Sequence, residues 1–268
     1  MRKWRQWRHV ITSVLGRLAA ATRYNRVDFV TVDRVPFCRK RRCWFSGPLL
    51  IAGNLWLDWQ RAGVKILPFE AWRKREDQLW AQLYGQQVRV TGGALWFPMQ
   101  SGEPLGRWLR GPRTESEQLQ AVASASLALA ALHQLECADD HDRIMIATHG
   151  DAVLANALYE ASTNRAIWID FETLQHSATP RAGRIADDLR ALLCSSAECL
   201  PDVALPALVD AVLLNHRHAD TEVVTRLHEQ LDREVCRPCS YHAAQANVSL
   251  DRLLALRDEV AKWSRSHD

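Results

Sequence analysis

Along the chain, the spacing of apolar positions changes three times. In residues 2–20, Trp4, Trp7, Val10, Ile11, Val14, Leu15 and Leu18 recur at steps of three and four, which predicts an amphipathic helix. Val27–Val35, Leu49–Trp59 and Val64–Leu67 are then rich in Val, Leu, Trp and Thr and interrupted by Pro36, Gly47, Pro48, Gly53 and Pro68, a pattern of short strands. Helical spacing returns from about Glu70 to Tyr84, with Gly85 as the stop. Val88–Thr91 and Ala94–Met99, joined through Gly92-Gly93, predict a hairpin. Beyond Gly102, Leu119, Val122, Leu127, Leu129, Leu132 and Leu135 mark a long helix over 115–135, and helical blocks follow near 203–214, 221–235 and 249–263. A strand-rich part with one main helix therefore gives way near residue 102 to a mostly helical part. This is an α+β organisation in three pieces: a basic N-terminal segment (1–26), a small antiparallel-sheet unit (27–101) and a helical unit (102–268). There are no internal repeats.

Composition changes this picture little: 47% hydrophobic and 24% charged residues suit a soluble globular protein, and a net charge of +3 does not point to nucleic acid. The distribution of charge says more. Residues 1–26 hold seven Lys or Arg and no acid, and a second basic knot follows at Arg39-Lys40-Arg41-Arg42. A basic amphipathic helix carrying Trp suits an anionic membrane surface, and it equally suits a terminal helix docked on its own domain. No signal peptide or transmembrane run is apparent, so the expected location is cytoplasmic, with peripheral attachment to the inner face of the membrane through residues 2–20. The seven cysteines are scattered, and Cys236-x2-Cys239 with His242 lacks the second ligand pair of a structural zinc site, so they read as incidental.

Residues 144–172 carry the chemistry. Apolar Ile144-Met145-Ile146 leads into the turn Thr148-His149-Gly150-Asp151, and Asn156 follows five residues after Asp151. Two short strands, Ala157–Glu160 and Ala166–Ile169, pair through Ser162-Thr163-Asn164, and the second delivers Asp170. Singly, each of these polar residues reads as a loop Asp or Asn closing a turn. Together they suit a magnesium ion, which takes oxygen ligands from Asn156 and Asp170 and completes its shell with nucleotide phosphate. Asp151 is then left to accept a hydroxyl proton, the division of labour that phosphoryl transfer needs.

His149-Gly150-Asp151-x4-Asn156 followed by Asp170-Phe171-Glu172 resembles the catalytic loop and metal motif of the protein-kinase-like superfamily. Its His-Gly-Asp and Asp-Phe-Glu forms are similar to those of the small-molecule branch: aminoglycoside and choline phosphotransferases, and the Kdo and heptose kinases of the lipopolysaccharide core. The resemblance spans about residues 45 to 195. It implies a bilobal fold, ATP and Mg2+ as cofactors, Asp151 as catalytic base, and Asn156 and Asp170 as metal ligands. Such a kinase places a strand lysine on the α- and β-phosphates and fixes it with a helix glutamate. Lys65, in the strand Val64–Leu67, is the expected lysine. Glu76, which shares a helical stripe with Trp72, Leu79, Trp80 and Leu83, is its expected partner; the ordinary alternative is a surface Glu76 beside Arg73 and Arg75. Leu95–Gln100 and Gly102-x2-Leu105 resemble the hinge, with backbone groups around Met99 meeting adenine. The helix end at His133 and the step Arg184–Leu189 resemble the elements flanking the catalytic loop.

Three departures refine the expectation. Gly47 and Gly53 do not make a glycine-rich loop. Val153 stands where protein kinases carry a lysine two residues after the catalytic Asp. Only about fifteen residues separate Glu172 from Asp187, with no Ala-Pro-Glu segment. The expected acceptor is accordingly a sugar, glycolipid or other small molecule. A catalytically silent pseudokinase, a Ser/Thr protein kinase and an antibiotic-modifying phosphotransferase are the alternatives.

Overall fold

A computed structural model gives the fold over residues 25–43, 46–139, 143–216, 221–239, 241–242 and 247–267. The amphipathic segment 2–20 lies outside these described residues. In chain order the first part contains β1 (Asn25–Val32), β2 (Val35–Arg42), α1 (Ser46–Gln60), β3 (Val64–Ile66), α2 (Phe69–Tyr84), β4 (Arg89–Thr91) and β5 (Ala94–Pro98). The second contains β6 (Glu103–Pro104), α3 (Leu105–Leu109), α4 (Glu115–Leu132), β7 (Glu136–Ala138), β8 (Ile144–Ile146), β9 (Ala157–Glu160), β10 (Arg165–Trp168) and β11 (Thr173–Gln175), then α5 (Arg181–Ala197), α6 (Leu205–Leu213), α7 (Thr221–Cys236) and α8 (Leu250–His267). The class is α+β with small antiparallel sheets.

The largest sheet runs β1-β2-β5-β4. β1 and β2 join through Asp33-Arg34, both left-handed at φ 49° and 65°, as a tight two-residue hairpin turn requires. In this sheet Phe29, Cys38 and Phe97 lie side by side, as do Val27, Lys40 and Leu95. Directly paired residues point to the same face, so Lys40 shares its face with Cys38 and Phe29.

Two expectations for this region are corrected. Residues 49–59 form the helix α1, not a strand. Gly47 and Pro48 sit in its first turn, where proline is tolerated, and most of the helix beyond them is unbranched at Cβ. Only Ser46 and Leu57 of this helix are buried, so its hydrophobicity reflects an exposed stripe rather than a core strand. The strand the pattern concealed is β2, written as a knot of cations.

α2 ends as the sequence predicts, with Gly85 at φ 63° and its amide bonded to Ala81 O at 3.1 Å. α4 starts with a capping box, Thr114 and Glu117 satisfying each other's backbone donors, a device worth about 1 kcal/mol. Nearly all of α5 is buried, with α4, α6, α7 and α8 packed around it. One continuous core runs from Leu67 to Trp263 across both parts. β3 pairs with β11, Lys65 opposite Leu174, which ties the stretch before α2 to the strand after Asp170. Among the described residues no helix is long and apolar enough to cross a membrane.

Candidate functional site

The turn at 148–151 is shaped by its backbone. Gly150 sits at φ 81°, and a Cβ there would lie 2.8 Å from Thr173 O, so glycine is required twice over. The amides of His149 and Gly150 donate to opposite oxygens of Asp188, at 2.6 and 2.8 Å. Asp188 also meets His133 Nε2 at 3.0 Å and Gln175 Nε2 at 2.8 Å. Burial works against its charge, but His133 and the surrounding donors win and hold its pKa below the usual value. The sequence marks this Asp-Leu step, but nothing local to it assigns Asp188 the task of capping the turn at 148–151. His133 is a partner of that cap, in line with a packing role.

His149 is buried against the rings of Trp168 and Phe171, with centroids at 5.1 and 4.9 Å. Burial pulls its pKa down to about 4, so the ring is neutral near pH 7. Nε2 then donates to Ile169 O at 3.0 Å, and Nδ1 accepts from the Asp151 amide at 3.3 Å. The histidine is thus a strut between the loop carrying Asp151 and the strand end carrying Asp170.

Asn156 Nδ2 donates to Asp151 Oδ2 at 3.0 Å and to Asp151 O at 2.9 Å, fixing the carboxylate. Its backbone carbonyl receives Ile169 N at 2.9 Å. Asp170 is left-handed at φ 73°, a strained state for a residue with a side chain and one common at functional sites. The structure therefore brings Asp151, Asn156 and Asp170 together as expected.

The lysine expectation is corrected. Lys40, not Lys65, meets this centre: its Nζ lies 2.9 Å from Asp170 Oδ1. Burial opposes the charge of Lys40, but Asp170 and Glu76 outweigh it and raise its pKa. Glu76 is fully buried. It accepts from the indoles of Trp72 and Trp80 at 2.9 and 3.0 Å, and from the Phe171 amide at 3.0 Å. Burial pushes its pKa up to about 7, opposed chiefly by Lys40. So Glu76 belongs to this cluster with its charge favoured by Lys40, while Lys65 belongs to the small β3–β11 sheet.

The arginines of the basic knot are paired with acids or backbone of the same chain. Arg42 contacts Glu172 at 3.2 Å and donates to Leu67 O at 2.8 Å, while Arg39 and Arg41 share Asp28 on the outer face, at 2.9 and 3.1 Å. Met99 is also corrected in part: its amide is spent on Pro36 O at 3.1 Å, extending the sheet. Gly47 and Gly53 lie in α1 and cradle nothing ahead of Lys40.

The donor set fits a magnesium ion that arrives with phosphate. Asp170 Oδ1 is buried and, despite its ion pair with Lys40, receives no well-directed hydrogen bond, and the Asn156 amide nitrogen is committed, leaving its oxygen as donor. Among the described residues no three His, Cys, Asp or Glu side chains form a metal cage. His242, considered above as a third zinc ligand, instead pairs with Glu234. No protein-family model matches the chain, and no curated protein matches it in sequence.

Proposed function

We propose that this chain is a bilobal, protein-kinase-like phosphotransferase that moves the γ-phosphoryl group of ATP to a hydroxyl of a sugar, glycolipid or other small molecule. The observation that carries the reading is one cluster: Lys40 on Asp170, Glu76 behind Lys40, and Asn156 locking Asp151. Lys40 would meet the α- and β-phosphates; Asn156 and Asp170 would hold Mg2+, which supplies charge neutralisation on the transferred group. The acceptor oxygen bonds to the γ-phosphorus as the bond to ADP breaks, and its proton passes to Asp151.

Other features agree. Phe29 and Val27 are 72% and 48% exposed on the face that carries Cys38 and Lys40, an apolar ceiling suited to a purine ring. Only residues 176–180 separate β11 from α5, too little to dock a protein substrate, and Val153 packs in the core where protein kinases carry a lysine. Asp151→Asn is expected to abolish acceptor-dependent ADP formation with an unchanged unfolding midpoint. Undiminished turnover would sink the assignment.

We further propose peripheral attachment to an anionic bilayer. The basic segment 1–24 joins β1 at Asn25, opposite Arg42 and a few residues from the start of α1. There Ile51, Leu55 and Trp59 are 67%, 65% and 76% exposed at helical spacing. Deleting residues 1–20 should lower binding to phosphatidylserine vesicles; equal binding would remove this claim.

A further inference from the structure

A cavity of about 400 Å³ lies between the end of α1, the first turn of α5 and the face of α7. It is rich in cations, so its ion pairs decide what it can hold. Asp187 is matched by Arg190 at 2.8 Å, Glu229 by Arg226 at 3.1 Å, and Glu234 by His242. That leaves Arg61 and Arg233, both lining the cavity and without an acidic partner among the described residues. An independent sign comes from His242. Its side chain is nine-tenths buried and lines the cavity; Nδ1–H is given to Glu234, and Nε2, 4.0 Å from Asp187 and without a hydrogen bond, donates to an anion only as the imidazolium. The first turn of α5 completes the wall with helix amides that have no helical acceptor.

The cavity adjoins the candidate active site. Gln175 lines it and bonds Asp188, the cap of the catalytic loop. Tyr241, next to His242, is half-buried, and burial together with the charges of Asp151, Asp187 and Glu172 pushes its phenol well above the usual pKa.

We propose that this cavity is an anion subsite, built by Arg61 and Arg233, that seats a phosphate or carboxylate group of the acceptor. The word "acceptor" rests on the phosphotransferase reading; the anion site itself does not. Guanidinium groups suit either anion because both present paired oxygens to a planar fork.

The test is calorimetric titration of the full chain with inorganic phosphate. Wild type is expected to bind, Arg61→Gln/Arg233→Gln to bind about 10-fold more weakly or worse, and Arg61→Lys/Arg233→Lys to recover part of the loss. Lys40→Met and Asp151→Asn should bind phosphate as wild type does, whatever their effect on ATP turnover. Failure of the kinase reading is thereby distinguished from failure of this one. Equal binding by the Gln double variant, loss in Lys40→Met, or no binding at millimolar phosphate each overturns the proposal; the second would place phosphate in the nucleotide cleft. Glucose 6-phosphate, glucuronate and glucose then separate the sources. At least one anionic sugar should outbind glucose, with the excess lost in the Gln double variant, and equal affinities for all three would contradict the subsite.

Discussion

Glu76 and Asp188 are both buried carboxylates with no exposure, yet they are held in opposite ways. Asp188, on α5, receives two backbone amides, a histidine and a glutamine, and its pKa is lowered. Glu76, on α2, receives two indoles and one amide, with Lys40 as counter-charge, and its pKa rises to about 7. The difference lies in donor quality. Asp188 is saturated by groups that cannot leave, so it is a fixed strut. The charge of Glu76 depends on one lysine that also serves Asp170. The α5 side thus holds its carboxylate by fixed donors and the α2 side by a counter-charge shared with Asp170, the division expected if a ligand is to enter on the α2 side.

The strongest break of this comparison is Asp188→Ala. It orphans the amides of His149 and Gly150 together with the partners His133 and Gln175 in a buried place, and should cost about 3–5 kcal/mol in denaturant unfolding. A loss below about 1 kcal/mol would show that the loop holds its shape without the cap.

Next in size, Lys40→Met should lower ATP turnover by at least about 100-fold while Lys65→Met stays within about 3-fold of wild type. The reverse order would restore the lysine that the local sequence favours.

The α2 side also makes a pH prediction. The folded pKa of Glu76, about 7, lies above the unfolded reference of 4.5, so the folded state binds the proton more tightly. Its stabilising contribution is full below pH 4.5 and is lost as pH rises through 7, by up to about 3 kcal/mol. Glu76→Gln removes this slope, so the variant should gain stability relative to wild type between pH 5 and pH 8. A constant difference would mean that Lys40 keeps Glu76 ionised throughout. His149 works in the other direction: its pKa of about 4 lies below the reference of 6.5, so its contribution is present above 6.5 and lost as pH falls toward 4.

The two sides were also unequally legible in the sequence. Asp151, Asn156 and Asp170 lie within 20 residues, and their roles follow from local turns and a short hairpin, so spacing alone grouped them. Lys40 is 36 residues before Glu76, with α1 inserted between, and three arginines hide its inward direction. Only the pairing of β2 with both β1 and β5 reveals that Arg39 and Arg41 face out while Lys40 faces in. Lys65, one cation in an apolar run, looked the better candidate, but β3 pairs with β11 and not with the main sheet. The same limit explains α1: an apolar run does not say whether it will be buried. Tyr241 and the cavity beside it carry no motif at all.

The most direct measurement is the thermal shift of the full chain by ATP, with and without Mg2+, in wild type and in Asp170→Asn. The expected result is stabilisation of wild type by ATP that grows with Mg2+, and loss of the Mg2+-dependent part in Asp170→Asn. An ATP shift indifferent to Mg2+, or equal in the two proteins, would contradict the assignment of Asp170, and with it the phosphotransferase reading of the site.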